Sequence, residues 1–233
     1  MESGVDKAEN GGLAVLGGSF NPPHLGHLRL ALELAENLDL TVELTPCGQP
    51  PHKAPGRILD FELRCALLRP LLGASPALGL NMLEGARPGP SYTYDTMIRH
   101  LRRGPAETLH FALGAGDFMT IAKWRQADKL LGMVNFIIVP RQGIEQAAVS
   151  RFIEDSLFDL LTPERPARPE IKACWRHKRS GLLFQYLPVT RIDISSSQVR
   201  QAWRRGLSLQ GLVPESVEQG LLERKPLIDK IWK

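Results

Sequence analysis

The chain has 233 residues, 43% hydrophobic and 23% charged, with 21 glycines and 18 prolines. Those fractions belong to a soluble globular protein, and a chain this long buries roughly 70–75% of its unfolded surface without disulfide or metal staples. No run approaches the roughly 18 apolar residues of a membrane span, residues 1–12 lack the apolar core of a signal peptide, and the scattered cysteines Cys47, Cys65 and Cys174 form no zinc pattern and point to a reducing, cytoplasmic setting.

The formal net charge is +4. Residues 163–179 carry Arg165, Arg168, Lys172, Arg176, Lys178 and Arg179 against Glu164 and Glu170. That local excess equals the whole net charge, so the remainder is balanced and general nucleic-acid binding is not expected.

In chain order, residues 13–17 form an apolar run ending in glycines, which reads as a buried strand. Residues 25–38 carry a helical apolar stripe, and 41–45 read as the next strand. Strand, helix and strand within about 35 residues make a βαβ unit with parallel strands. The alternation continues with a helix over 61–72, a strand over 78–83 and a helix over 92–103 capped by Ser91. Strands over 108–114 and 134–139 flank a helix around 124–131. The pattern predicts an α/β fold with an open, doubly wound parallel sheet.

Beyond residue 143, a helix is expected over 147–161, a Pro-rich basic surface loop or insertion over 162–179, and a strand over 182–187. A helix begins at 195, where Ser195 and Gln198 have capping-box spacing, and another covers 214–222. The expected organisation is a flexible tail over 1–12 and one domain over 13–222. That domain would contain an insertion near 144–179 and a small C-terminal helical part over 195–222, with residues 223–233 left as a second tail.

Four groups of residues can carry chemistry. The sequence GGSFNPPHLGH, residues 17–27, lies where the first strand ends and the first helix begins. That is the carboxyl edge of a parallel sheet, the usual ligand crevice. Glycines let backbone approach a phosphate, and a helix N-terminus offers free N–H groups and a positive dipole end. His24 and His27 share a face if the first helical turn includes both. It is not a Walker loop, and Gly114-Ala-Gly116 has Met119 where a dinucleotide fingerprint needs its third glycine. A tight turn with two surface histidines is the plainer alternative.

ISSSQVR, residues 194–200, sets three hydroxyls at a helix start with Arg200 one turn on, an anion site in form, although serine at such a position is usually only a cap. Pro50-Pro51-His52-Lys53 follows the second strand at the same sheet edge. SYTYDT (91–96), Gly114-Ala-Gly-Asp117 and Trp124 each follow a predicted strand.

Together these residues resemble a known family. GGSFNPPHLGH resembles the GGTFDPxHxGH signature of the HxGH nucleotidyltransferases, and ISSSQVR resembles their ISSTxIR motif. The PPHK loop, SYTYDT, the Gly and Asp of residues 114–117, Trp124 and Leu212-Val-Pro214 resemble the bacterial nicotinate-nucleotide adenylyltransferases within it. Ser197 stands where threonine is commoner, and Asn21 where aspartate is commoner. Ser for Thr keeps the hydroxyl, and Asn21 can still orient the turn.

The resemblance implies a Rossmann-like fold and an Mg²⁺-dependent transfer of the adenylyl group of ATP to nicotinate mononucleotide, releasing pyrophosphate in NAD synthesis. It implies His24, His27 and Arg200 as catalytic residues. The nucleotide would be held by Gly17, Gly18, Ser19, Phe20, Asp117, Ser196 and Ser197. Lys53, Thr93 and Trp124 would take the mononucleotide, Trp124 stacking on its pyridine ring and Thr93 meeting its carboxylate. Mg²⁺ would ride on phosphate and water rather than in a carboxylate cage. The partners are small molecules, with no nucleic acid and no membrane. The rivals are an HxGH enzyme acting on nicotinamide mononucleotide or phosphopantetheine, and a non-catalytic nucleotide or RNA binder that uses residues 163–179.

Overall fold

The computed structural model describes residues 12–50, 58–85, 89–103, 108–141 and 143–233. The strands are β1 Leu13–Gly18, β2 Thr41–Pro46, β3 Leu78–Leu80, β4 Leu109–Gly114, β5 Asn135–Val139, β6 Leu161–Glu164, β7 Ala173–His177 and β8 Leu183–Tyr186. The helices are α1 Leu25–Leu38, α2 Phe61–Leu68, α3 Thr93–Arg102, α4 Ala115–Phe118, α5 Ala127–Leu131, α6 Gln146–Ser156, α7 Ser196–Arg204, α8 Glu215–Leu222 and α9 Lys225–Ile231.

All strands join one sheet in the order β3-β2-β1-β4-β5-β8-β7-β6. The six from β3 to β8 are mutually parallel, and β7 and β6 extend the edge antiparallel. Because side chains alternate across a strand, each strand feeds two cores. Ala14, Leu16, Ala112 and Ile137 pack on one face with Leu34 of α1, Leu63 of α2, Val199 of α7 and Val217 of α8. Val15, Phe111, Phe136 and Ile138 pack on the other with Met97 of α3, Phe118 of α4, Leu130 of α5 and Val149 of α6. Helices therefore cover both faces, which is why the central strands are apolar throughout; all five residues of β5 are buried.

The strand order reverses between β1 and β4, since the chain steps from β1 out to β2 and β3 and then returns. That switch point, at the carboxyl ends of the strands, is where an open α/β sheet has its crevice. A cavity of about 850 Å³ lies there.

Several local expectations are corrected. The helix predicted over 61–72 is α-helical only to Leu68 and continues as a 3-10 turn, Arg69–Ala74; Pro70 lacks the N–H that an α-helix needs there. Ser91 does not cap α3, which starts after Tyr92. Its hydroxyl instead accepts the Gly48 and Gln49 N–H groups at 3.0 and 3.3 Å.

The stretch 162–179 is not a bare loop but contains β6 and β7. Cys174, Trp175 and His177 of β7 are buried, and Pro163 sits in the edge strand, where a missing donor is tolerated. Of its basic side chains, Arg176 bonds Glu164 at 2.6 Å, Lys172 the Pro169 carbonyl at 2.8 Å and Lys178 the Phe158 carbonyl at 2.7 Å.

The C-terminal residues form α9 rather than a tail. Ile228 and Trp232 are buried, and Trp203 donates to Asp229 at 2.8 Å while stacking edge-on against Trp232. Most of the expected N-terminal tail, residues 1–11, lies outside the described residues.

Candidate functional site

The turn after β1 is held in an uncommon conformation. Phe20 has φ 45°, a left-handed value that a bulky residue rarely adopts. Its ring is fully buried beneath the turn and meets the His27 ring edge-on at 4.8 Å. Phe20 therefore supports the cavity and does not line it. Asn21 is buried, and its Oδ1 accepts the Leu59 N–H at 3.0 Å. An amide serves for this as well as a carboxylate would.

His24 precedes the first turn of α1, and its ring stacks on that of His27 with centroids 3.6 Å apart. The His24 backbone N–H donates to His27 Nδ1 at 3.2 Å. A neutral His27 ring therefore carries its proton on Nε2. His24 is only 3% exposed, and both its ring nitrogens are buried without a hydrogen-bond partner among the described residues. Burial, and secondarily the positive charge of Arg141, lower its pKa to about 4. The ring is neutral at pH 7. Gly26 makes room for it, since a Cβ there would stand 3.1 Å from His24 Nδ1.

The second motif closes on the first. Ser195 caps α7, accepting the Gln198 N–H at 3.2 Å while Gln198 Oε1 accepts the Ser195 N–H at 2.6 Å. Ser196 Oγ donates to the Pro22 carbonyl at 2.9 Å, and Arg200 Nη1 to the Asn21 carbonyl at 2.8 Å. Arg200 Nη2 also donates to Ser197 Oγ at 2.9 Å. These bonds set the N-terminus of α7 beside that of α1. Neither first turn contains an acidic residue, so both dipole ends remain positive toward the cavity. Glu33 of α1 accepts the Thr190 N–H at 2.7 Å and so fixes the segment that leads into α7.

Thr93, Asp117 and Trp124 line the other side. Trp124 is half-buried, its Nε1 donating to Thr120 Oγ1 at 3.1 Å. Asp117 is 62% exposed and lies 4.0 Å from Arg141 Nη1. Gly17, Gly18, Ser19, His24, His27, Ser196, Ser197 and Arg200 share the same cavity. Lys53 and its neighbours Pro51 and His52 lie outside the described residues.

Several polar cavity residues carry no motif in the sequence, among them Arg141, Arg191, Asp193 and Glu84. Arg141 comes just after β5, and the rule that singled out Asp117, a polar residue following a parallel strand, could have found it. Glu84, 8% exposed, accepts from Thr96 Oγ1 at 2.5 Å and from the Gly48 N–H at 3.2 Å. No local pattern announces it.

The site thus offers two helix N-termini, the imidazoles of His24 and His27 and the guanidiniums of Arg141, Arg191 and Arg200 around one crevice, a donor set suited to a polyphosphate. Among the described residues no group of three or more His, Cys, Asp or Glu side chains could hold a metal ion.

Residues 15–202 match the cytidylyltransferase-like family. The chain is 37% identical over 216 residues to the "Probable nicotinate-nucleotide adenylyltransferase" of Chromohalobacter salexigens, covering 91% of this chain and 94% of that one. It is 32% identical over 214 residues to the protein of the same name from Geotalea uraniireducens, covering 91% and 96%. Among solved structures, the Plasmodium falciparum nicotinic acid mononucleotide adenylyltransferase complexed with NaAD superposes with a TM-score of 0.68 at 16% identity, covering 91% of this chain and 95% of that one. At that identity the likeness speaks for the fold.

Proposed function

The chain belongs to the cytidylyltransferase-like family and, within it, to the nicotinate-nucleotide adenylyltransferases, and from this premise we propose that it transfers the adenylyl group of ATP to nicotinate mononucleotide, giving nicotinic acid adenine dinucleotide and pyrophosphate. The observation that carries the reading at this site is His24. A buried ring whose two nitrogens have no partner among the described residues, at the N-terminus of α1 beside that of α7, is a polar group suited to a ligand partner.

The nucleophile is a phosphate oxygen of the mononucleotide, largely ionised at pH 7 because its second pKa is about 6. No general base is required. The protein's task is to align the two phosphates in line and to neutralise charge on the leaving pyrophosphate. His24 donates to the α-phosphate region through a ring N–H, and His27 donates through Nε2–H. Backbone over residues 17–19 holds the nucleotide, with Phe20 supporting the turn from beneath. Ser196, Ser197 and Arg200 take the β- and γ-phosphates; Arg200 uses two N–H groups on Asn21 and Ser197 and keeps others of its five for the ligand. Asp117 faces the ribose, Trp124 stacks on the pyridine ring, and Thr93 with nearby N–H groups receives the carboxylate. Lys53 adds positive charge toward the phosphates.

Mg²⁺, which the described side chains do not cage, would be carried by the substrate phosphates and water and would supply charge neutralisation on the leaving group. No helix among the described residues is long and apolar enough to cross a membrane; the free cysteines Cys47, Cys65 and Cys174 support a reducing, cytoplasmic setting. Incubation with ATP, Mg²⁺ and nicotinate mononucleotide tests the proposal by chromatography of the products. A new dinucleotide in step with pyrophosphate is the expected result. Neither product, from folded protein at saturating substrates, would refute the reading.

A further inference from the structure

Arg64 of α2 is 1% exposed, the largest fully buried side chain in the molecule's described part. Among the described residues it makes no ion pair. Its guanidinium instead donates to four backbone carbonyls. Nε bonds Leu59 O at 2.9 Å. Nη1 bonds Ser19 O at 2.9 Å and Cys47 O at 2.7 Å, and Nη2 bonds Gly48 O at 3.0 Å.

These carbonyls belong to different walls of the crevice. Ser19 lies in the turn after β1, beside the residues assigned to ATP. Cys47 and Gly48 lie in the loop after β2, which leads toward the acceptor side. The backbone links the two as far as the Cys47 N–H to Gly18 O bond, 2.8 Å; past that point Arg64 spans them. The far side of Gly48 is held as well. Its N–H is shared by Glu84 Oε2 at 3.2 Å and Ser91 Oγ at 3.0 Å, and Ser91 leads into α3 and Thr93. A Cβ on Gly48 would come within 2.5 Å of the Glu84 carbonyl, so this peptide is gripped from both sides.

We propose that Arg64 is a positioning residue that sets the spacing between the ATP-side turn and the acceptor-side loop. A planar fork can bridge three peptides at fixed separations, whereas a lysine offers one point of contact. The proposal rests on the adenylyl-transfer reading, because in-line attack between two separately bound phosphates depends on their relative placement. Each substrate is bound mainly by its own wall. Loss of the spacer should therefore disturb turnover far more than binding of either substrate alone.

The test compares Arg64→Lys, Arg64→Met and Ser91→Ala with wild type. Circular dichroism verifies folding, titration gives the Kd of ATP and of nicotinate mononucleotide separately, and pyrophosphate release gives kcat. Arg64→Met should lose about 10²-fold in kcat, the cost of roughly 1 Å of misplacement, and Arg64→Lys about tenfold, with each separate Kd within about threefold of wild type. Ser91→Ala leaves Arg64 intact and loosens Gly48 from the other side. It should lower kcat severalfold with the same unchanged binding, and it carries the test if the Arg64 variants do not fold. A kcat within about twofold of wild type in folded variants, or a loss appearing wholly as weaker binding of one substrate, would overturn the proposal. An inactive wild type would instead overturn the adenylyl-transfer reading, and the spacer with it.

Discussion

His24→Leu replaces a ring whose two nitrogens are buried without partners among the described residues by apolar carbon of similar bulk. A buried unsatisfied polar group costs about 1–3 kcal/mol. The leucine also gives up the stack on His27, 3.6 Å between centroids, worth about 0.5–1.5 kcal/mol. The difference leaves the variant about 1 kcal/mol more stable at pH 7.5, which for a chain of this size is a rise of roughly 2–4 °C in Tm.

The gap depends on pH with a definite sign. His24 titrates near 6.5 when unfolded and at about 4 when folded. Between those values the unfolded chain binds a proton that the folded chain refuses. Wild-type stability from this residue is therefore complete above 6.5 and falls as pH drops toward 4. At pH 5.5 the loss is about 1.4 kcal/mol, and the leucine variant is spared it. The stability difference should thus widen to roughly 2–3 kcal/mol at pH 5.5, while kcat drops by about 10²–10³-fold because a donor to transition-state charge has gone. Thermal melts at pH 7.5 and 5.5 with pyrophosphate-release kinetics give all three quantities. A less stable variant, or an unchanged gap between the two pH values, would refute the assignment of His24 as a buried, neutral, ligand-seeking ring.

His27→Ala should cut kcat by about 10²–10³-fold with smaller changes in KM; near-normal turnover at saturating substrate would remove it from the machinery. Trp124→Ala should chiefly raise the KM for the mononucleotide, and an unchanged KM would leave that ring with Phe111, its edge-on neighbour at 6.2 Å. Ending the chain after Arg224 deletes α9 and with it the buried Ile228 and Trp232. Two large apolar side chains are worth about 3–6 kcal/mol, so the shortened protein should melt far lower, and a wild-type Tm would show that α9 adds nothing.

Where a sequence feature reflects a local rule, it was legible. The apolar run at 13–17 became β1 because a strand covered by helices on both faces has no polar side to display. The stripe over 25–38 has the bounds of α1, and the capping-box spacing at Ser195 and Gln198 is realised bond for bond. The two specific motifs meet because parallel strands put their loops on one edge. Where the deciding contact is distant, local rules failed. Pro and Arg in 162–179 suggest a loop, which holds for 165–172, but Pro163 lies in the edge strand β6 and Arg176 on the exposed side of β7, while Trp175 and Cys174 are buried. Ser91 looked like a cap and was recruited across the crevice by Gly48. Arg64 resembles any arginine on a helix, and only the carbonyls 45, 17 and 16 residues away at Ser19, Cys47 and Gly48 show its work.

The most direct test of the central claim is pyrophosphate release with ATP and Mg²⁺, offering nicotinate mononucleotide, nicotinamide mononucleotide and phosphopantetheine at equal concentrations. The account predicts strong turnover with the nicotinate acid, weaker turnover with the amide, whose carboxamide lacks the charge that N–H donors near Thr93 would meet, and none with phosphopantetheine. Turnover confined to another acceptor would contradict the account at Thr93 and Trp124 while leaving the phosphate site intact, and turnover with none of the three would contradict it at its centre.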